Sequence, residues 1–553
     1  MDSEPKGVIC DKWLHVVCLP FNIKATKGKE AYLEKVAQTL EGSHWKAGES
    51  PAKTQGSDQW HEFRRYQSNA YFHPFVRRFL HNEQRIQRFY RNDVKLIKID
   101  LDSKLTGEFT VSAKVECCEL VLFQPDTGLL LLEISGQPLS LQQMQLLQDT
   151  FRRLYPPYLD CFSAGASTTW FGGHCPVQVT LLDEHGTSIG SPGLFRGDSP
   201  AFMDSYQQIL CAKGADKGPR YPLAEHWRSL LEPFDCTGKG SKDFSIEHLG
   251  DDRAPILSWL ALDKLSNVND GNWIRTCFAD SPGKDEFPYA KKYLGAFDED
   301  YCYDRYWYQA GDKSSYQPSR IMNCGYVFSY VGSSQDSAFF TNECNGAHAI
   351  FRHIYVDMGL IAHFQKAKLL SFSQRLSEMV SRKENKVELP TQVEVREFYH
   401  DFVEFTQSFW FDEISPQQQG IELFQMWRKQ LQIQQLYDEV RQELKDLVEY
   451  TELRSAERLN HNVARIGGIA LIAAFLSLVV ALLSLGAGIF GMNKPGDMTW
   501  LFPEGELVFL EGHKQLWWAE ISLVFAVIAM LIIGIMGYVG LRDFMSSRRK
   551  TNR

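Results

Sequence analysis

Residues able to do chemistry gather at four places in this 553-residue chain. Toward the C-terminal end, Ala470, Ala473, Ser477, Ala481, Ser484 and Gly488 recur every three or four positions, a spacing that puts them on one face of a helix. Leu471, Phe475, Leu478, Leu482 and Ile489 cover much of the rest. A lean face carrying hydroxyls suits close helix packing in lipid and, repeated around an axis by several copies, the lining of a pore. Gly491-Met492-Asn493, a compact polar tripeptide, closes the run. Just beyond, Asp497, Glu504, Glu506 and Glu511 stand against Lys494 and Lys514, four acids to two lysines, a balance that raises cation concentration at a pore mouth.

Two further groups suit regulation. Asp298, Glu299, Asp300 and Asp304, with Asp251 and Asp252 earlier, make either a solvated acidic surface or a set of hard oxygen ligands for a cation such as Mg2+. The stretch 71–93 places Arg77, Arg78, Arg85, Arg88 and Arg91 beside Phe75, Phe79, Ile86 and Phe89. Read as one amphipathic helix, it either packs on a neighbouring domain or offers guanidinium forks to a small anionic regulator.

Enzyme chemistry finds no support. The run Cys236-Thr237-Gly238-Lys239-Gly240-Ser241 resembles a phosphate loop but has Gly240 where Ser or Thr must follow the lysine, and Pro233 in place of the first glycine. The sequence holds no HExxH and no GxSxG, and its 15 histidines lack ligand spacing. The 12 cysteines lie between Cys10 and Cys344 with no CxxC pair, which reads as reduced thiols packed as small hydrophobes and no zinc site. A net charge of −9 argues against general nucleic-acid binding. No cofactor is expected beyond a divalent cation as cargo or regulator.

The elements that must position these residues follow from pattern. Ile466–Phe490 is an uncharged apolar segment of 25 residues, roughly 37 Å as a helix, against a hydrocarbon core of about 30 Å. Ile521–Leu541 is a second uncharged stretch. Eight Arg and Lys residues flank the two spans on their outer sides (Arg454, Arg458, Arg465, Arg542, Arg548, Arg549, Lys550, Arg553) against two in the loop, which puts both termini in the cytoplasm and the loop outside. The opening MDSEPKGVICDKWLHVV lacks the basic flank and apolar core of a secretory signal. Between about 95 and 158, strand-like VKLIKIDL, ELVLFQ and LLLLEIS precede a helical LSLQQMQLLQDTFRRLY. Further strand-like runs at 177–182, 254–262, 273–278 and 326–331 complete an α/β domain, and 186–242, rich in Gly, Ser and Pro, reads as loops or a subdomain boundary. Helices are expected after Cys344 and over Val393–Trp410. A seam of Phe424, Trp427, Leu431, Tyr437, Val440, Leu444 and Leu447 points to a stalk helix running from Gln417 to Phe490 that associates with its copies.

The expected fold is therefore an α+β multi-domain membrane protein. It comprises a cytoplasmic α/β domain over 1–343, divisible into two subdomains, helices beside a stalk over 344–415, and a stalk continuous with the first transmembrane helix over 416–493. An extracytoplasmic loop over 494–516 and a second transmembrane helix with a basic tail over 517–553 follow.

A GMN tripeptide closing the first of two C-terminal spans resembles the signature of the CorA family of magnesium transporters. Counted back from Asn493, Gly488, Ser484, Ala481, Ala473 and Ala470 match the register of that family's pore-facing positions. Pro503-Glu504 is similar to the family's loop motif, although this loop is longer and Lys494 stands where an aromatic is common. The resemblance implies a homopentameric Mg2+ channel in the inner (plasma) membrane, with Gly491, Met492 and Asn493 as selectivity filter and with cytoplasmic carboxylates as Mg2+ sensors. It leaves open a transporter of Zn2+, Co2+ or Ni2+, and a nucleotide-gated membrane effector of CRISPR-type immunity.

Overall fold

The computed structural model describes residues 7–25, 32–50, 66–81, 86–103, 105–124, 126–155, 175–195, 223–236, 242–283, 289–290, 292, 295–307, 318–335, 338–379, 381–383, 386–388, 390–491, 524 and 528. The chain divides into two compact units, Met1–Asp446 and Leu447–Arg553, so the boundaries expected near 343 and 415 fall inside the first.

The first unit grows from one long strand, β1 (Ile9–Ala25). Its residues are apolar at both parities, the pattern of a strand covered on both faces, and Trp13 to Ile23 is buried throughout. Strands are numbered in chain order, and across the sheet they run β12 (Cys302–Tyr303), β13 (Ser319–Asn323), β14 (Val327–Ser333), β11 (Ile256–Leu262), β1, β6 (Thr127–Ser135), β5 (Gly107–Phe123), β4 (Leu96–Ser103), β8 (Gln178–Leu182), β9 (Gly193–Leu194). Off this path, β10 (Phe244–His248) and β7 (Leu139–Ser140) pair with β1, and β3 (Ile86–Arg91) joins β2 (Lys46–Ala47) to β5. The strands β11 and β14 pair in parallel, whereas the pairs along β1, β6, β5 and β4 are antiparallel. Pro20 has no N–H to donate, and it sits where β1 leaves β11 at Val17 and takes up β10 at Phe21.

The described helices are α1 (Tyr32–Glu41), α2 (Pro74–His81), α3 (Leu141–Phe151), α4 (Glu225–Leu230), α5 (Asp270–Phe278), α6 (Phe297–Tyr301), α7 (Val356–Met379), α8 (Gln392–Ser408), α9 (Gln418–Gln430) and α10 (Ile433–Gly491), with short turns between. Alternation along the strands assigns them to two layers. On one face Gln148 of α3 donates to Ser258 Oγ at 2.9 Å, and Ser329 Oγ donates to the Thr276 carbonyl of α5 at 3.0 Å. One residue earlier on the same strands, Leu257 and Phe328 face the other way. There Gly359 of α7 lies so close that a Cβ would come within 2.7 Å of Leu257, and Trp427 of α9 stacks on Phe328 at 4.5 Å. The domain is thus a mainly antiparallel sheet between two helical layers.

Four local expectations change. Residues 273–278 form α5 and no strand: Asn269 caps the helix by accepting from the Asn272 N–H at 2.8 Å, a local signal that outweighs a short apolar run. The stretch 71–93 is not one helix. It is α2 followed by β3, whose Ile86 and Phe89 are taken into the sheet by pairing with Phe123 and Leu120 of β5. The helix expected from Gln417 to Phe490 is broken, because Gln432 adopts φ +53°, in the left-handed region, and separates α9 from α10. Most of the seam packs within the chain: Phe424, Trp427, Leu431, Val440 and Leu444 are buried, Tyr437 stacks on Trp410 at 4.3 Å, and Leu447 is half-buried. As expected, the ten described cysteines are free thiols, six of them buried. Residues 196–222 of the Gly, Ser and Pro-rich stretch, and Thr237 to Ser241 of the loop that resembles a phosphate loop, lie outside the described residues.

Candidate functional site

The helix α10 runs unbroken for 59 residues, about 88 Å at 1.5 Å per residue. No proline interrupts it, and its only glycines before the end of the apolar segment, Gly467-Gly468 and then Gly486 and Gly488, leave the ladder intact. Among the described residues it is the one helix long and apolar enough to cross a membrane, and none of its apolar window is buried in the chain. Ile466, Ile469, Leu471, Ile472, Leu476 and Val480 are each more than half exposed. Burying such a side chain is worth about 1.5–3 kcal/mol, so an aliphatic surface of this extent calls for lipid or protein cover.

On this helix Ala470, Ala473, Ser477, Ala481, Ser484 and Gly488 fall within an arc of about 80° at 100° per residue, and Gly491 falls in the same arc. The five non-glycine members are all exposed. Both serines are satisfied inside the helix: Ser477 Oγ donates to the Ala473 carbonyl and Ser484 Oγ to the Val480 carbonyl, each at 2.8 Å. Such back-bonding uses the hydroxyl proton and leaves the oxygen lone pairs outward, two acceptors on an otherwise methyl-lined face. Met492, Asn493, the loop acids Asp497, Glu504, Glu506 and Glu511, and the second span apart from Val524 and Ile528 lie outside the described residues.

The acidic group is placed around an arginine that sequence reading missed. Arg320 of β13 donates from Nε to Asp304 Oδ1 at 2.9 Å and from Nη2 to Asp304 Oδ2 at 2.7 Å, and its Nη2 also reaches Asp298. Its guanidinium lies over Trp273 at 5.4 Å and Trp307 at 5.5 Å. Burial opposes the charge, yet the hydrogen bonds to Asp304 and the field of Cys302, Asp304 and Asp298 hold Arg320 above the usual arginine range. Asp298, Cys302 and Asp304 have ligand atoms within 4.8 Å of one another, but Arg320 supplies the positive charge a divalent ion would bring, and a thiol is a poor partner for Mg2+. Asp300 turns away to α9, accepting from Lys429 Nζ at 3.0 Å, while Glu299 is exposed. Asp252 pairs with Arg153 elsewhere. These carboxylates therefore do not converge on one cation site. Nothing local in the sequence flags Arg320, which stands 16 residues from Asp304 and meets it through the β12–β13 pairing.

The arginines disperse likewise. Arg77 and Arg78 are on α2, Arg85 lies outside the described residues, and Arg88 and Arg91, three apart on β3, point to opposite faces. Arg88 meets the fully buried Glu119 at 3.2 Å; burial works against its charge, and Glu119 outweighs it. Arg91 donates to both oxygens of Asp93, at 3.0 and 2.6 Å, and to the Ser229 carbonyl of α4 at 2.6 Å. Two of the five are thus consumed by the fold, and no common guanidinium face remains for an anionic regulator among the described residues.

No family model matches the chain, and no curated protein or solved structure matches it either.

Proposed function

We propose that this chain is a CorA-like divalent-cation channel, with Mg2+ the preferred ion, acting as a homo-oligomer that is pentameric by resemblance. The observation that carries the reading is the single arc of small and hydroxyl residues on an unbroken, uncovered apolar helix that leads into Gly491-Met492-Asn493. In this reading α10 crosses the inner (plasma) membrane, Ile521–Leu541 crosses back, and both termini are cytoplasmic because basic residues crowd the outer flanks. Copies of α10 turn the arc toward a shared axis. Their alanines and glycines allow close approach, and the lone pairs of Ser477 and Ser484 face the water in the pore. Copies of Asn493 hold the hydrated cation at the mouth, and Asp497, Glu504, Glu506 and Glu511 draw cations toward it. The described part of the lining offers neither thiolate nor imidazole, which favours Mg2+ over Zn2+, Co2+ or Ni2+.

The test is cation uptake by the purified chain in liposomes, with Mg2+, Zn2+ and Co2+ in parallel. Uptake of Mg2+ in preference to the others supports the proposal, preference for Zn2+ or Co2+ moves the chain to another metal, and the absence of any uptake overturns the channel.

A further inference from the structure

Two cysteines far apart in sequence, Cys277 and Cys324, come together in the first unit and play no part in the proposed transport. Cys277 is fully buried on the last turn of α5. Cys324 is half-buried in the turn Cys324-Gly325-Tyr326 that joins β13 to β14. Bonds on either side of Cys277 fix its position: Ser329 Oγ of β14 donates to the Thr276 carbonyl at 3.0 Å, and Arg152 Nη2, at the end of α3, donates to the Phe278 carbonyl at 3.3 Å. The turn is held as firmly, with the Cys324 N–H donating to the Val327 carbonyl at 3.0 Å and the Gly325 N–H to Asn323 Oδ1 at 2.8 Å. Placed in this way, the two thiols are hydrogen-bonded to each other, and Cys324, Arg152 and Phe278 share the lining of a cleft of about 400 Å3.

The two sulfurs are unlike. The hydrogen bond donated by Cys277 and, after it, the Arg152 guanidinium hold the Cys324 thiol below the usual range, against the opposing effect of burial. Burial and then Cys324 itself push Cys277 up. Burial likewise pushes up Cys10, Cys18, Cys118, Cys236 and Cys302. Thiolate is the form that reacts, so an oxidant finds its nucleophile at Cys324, with a second sulfur already in contact to resolve the product.

We propose that Cys324 and Cys277 are an oxidisable dithiol, a modification site that a small hydroperoxide entering the cleft converts to a disulfide. The Cys324 thiolate attacks the terminal peroxide oxygen and the O–O bond breaks. The other oxygen leaves, takes up the proton that Cys324 had released and becomes alcohol or water, which gives sulfenic acid at Cys324. The Cys277 sulfur then attacks the Cys324 sulfur; the S–O bond breaks, hydroxide leaves with the Cys277 proton as water, and the S–S bond forms. Two thiols are oxidised and one peroxide is reduced. The bond ties α5 to a turn that presses on the end of α9, where a Cβ on Gly325 would come within 3.1 Å of Gln430. The inference does not depend on the chain being a channel.

The experiment is stepwise addition of hydrogen peroxide to the purified, reduced full chain in detergent, read by peptide mass spectrometry. A linked Cys277–Cys324 peptide, lighter by two hydrogens than the two thiol peptides, should be the first oxidation product, formed while Cys10 and Cys18 are still thiols, and dithiothreitol should reverse it. Cys277→Ser keeps a donor beside Cys324 but cannot resolve it, so oxidation should stop at sulfenic acid on Cys324, captured by dimedone. Cys324→Ser should lose the link and leave Cys277 unlabelled, whereas Cys344→Ser should form the link as the parent does. The parent is read directly, so the outcome does not require that the variants fold. Absence of the linked peptide from the parent, oxidation of Cys10 or Cys18 before this pair, or no dimedone label on a Cys277→Ser protein that keeps the parent's melting temperature would each overturn the inference.

Discussion

Asn493 is two residues past Gly491, the last residue of α10, and in the proposed channel it carries more of the selectivity than any other side chain. Each copy replaced by alanine removes an acceptor for a water of the hydrated cation, at about 1.5 kcal/mol or more per charge-assisted bond, and all copies lose it at one level. Asn493→Ala is therefore expected to give an assembled protein without cation uptake at any ionic strength. Glu504→Gln combined with Glu506→Gln removes only long-range attraction, which is screened within about 10 Å at 0.1 M salt. That variant should show a partial defect in liposome uptake that shrinks as salt rises; normal uptake by Asn493→Ala would overturn the filter assignment. At this scale the sequence spoke clearly about spacing along one helix and poorly about partners across the sheet. The arc from Ala470 to Gly488 could be counted because a helix repeats every 3.6 residues. That Asp298 and Asp304 share Arg320, or that Arg88 closes on Glu119, depends on strand pairing that spacing does not encode.

Among the elements, the turn at Gln432 separates what sequence and structure say about the stalk. A run from Gln417 to Phe490 without proline, and without glycine near residue 432, predicts one helix, since nothing in the local propensities ends it there. The structure ends α9 at Gln430 with Trp427 and Leu431 buried in the core, and Gln432 takes the left-handed conformation before α10 starts at Ile433. A glycine accepts that conformation without the cost a side chain incurs. Gln432→Gly should consequently stabilise the chain by roughly 0.5–1 kcal/mol in thermal or urea unfolding, whereas in the interior of a continuous helix the same change would cost about 1 kcal/mol. The sign of the measured shift decides between the two. Hairpin β5–β6 and helix α3 were legible because their period and end signals agree, with Ser140 and Gln143 forming the capping box. The pair α2 and β3 was not, because apolar spacing over so few residues fits either element and β5 made the choice.

At the scale of the whole molecule, the first unit carries a built-in sensitivity to acid and the second an apolar helix left uncovered by its own chain. His15, His226 and His363 are buried, and burial lowers each from the ordinary 6.5 to about 3. Because these rings bind protons less readily folded than unfolded, stability is full above about pH 6.5 and is lost as pH falls toward 3, by about 2 kcal/mol per ring at pH 5. The melting temperature of the full chain in detergent should drop between pH 7.5 and pH 5, and His226→Phe should flatten that drop; an unchanged pH profile would show that His226 does not titrate in this way. Assembly is a separate question: most of the seam that reads as an oligomer contact is buried inside one chain, and in the proposed channel the arc on α10 makes the contacts between copies. If copies of α10 surround an axis with Ser477 and Ser484 toward it, cysteines introduced at Ala473, Ala481 or Gly488 come within disulfide reach of their equivalents, since Cα atoms must approach to about 7 Å or less. Cysteines at Phe475 or Leu482, roughly 120–140° around the helix from Ala470, face lipid and stay apart. Oxidation in detergent should thus trap dimers from the first set and not from the second, against a parent whose native cysteines give none. Equal cross-linking of both sets would reject the register, and with it the assignment of Ser477 and Ser484 to the pore.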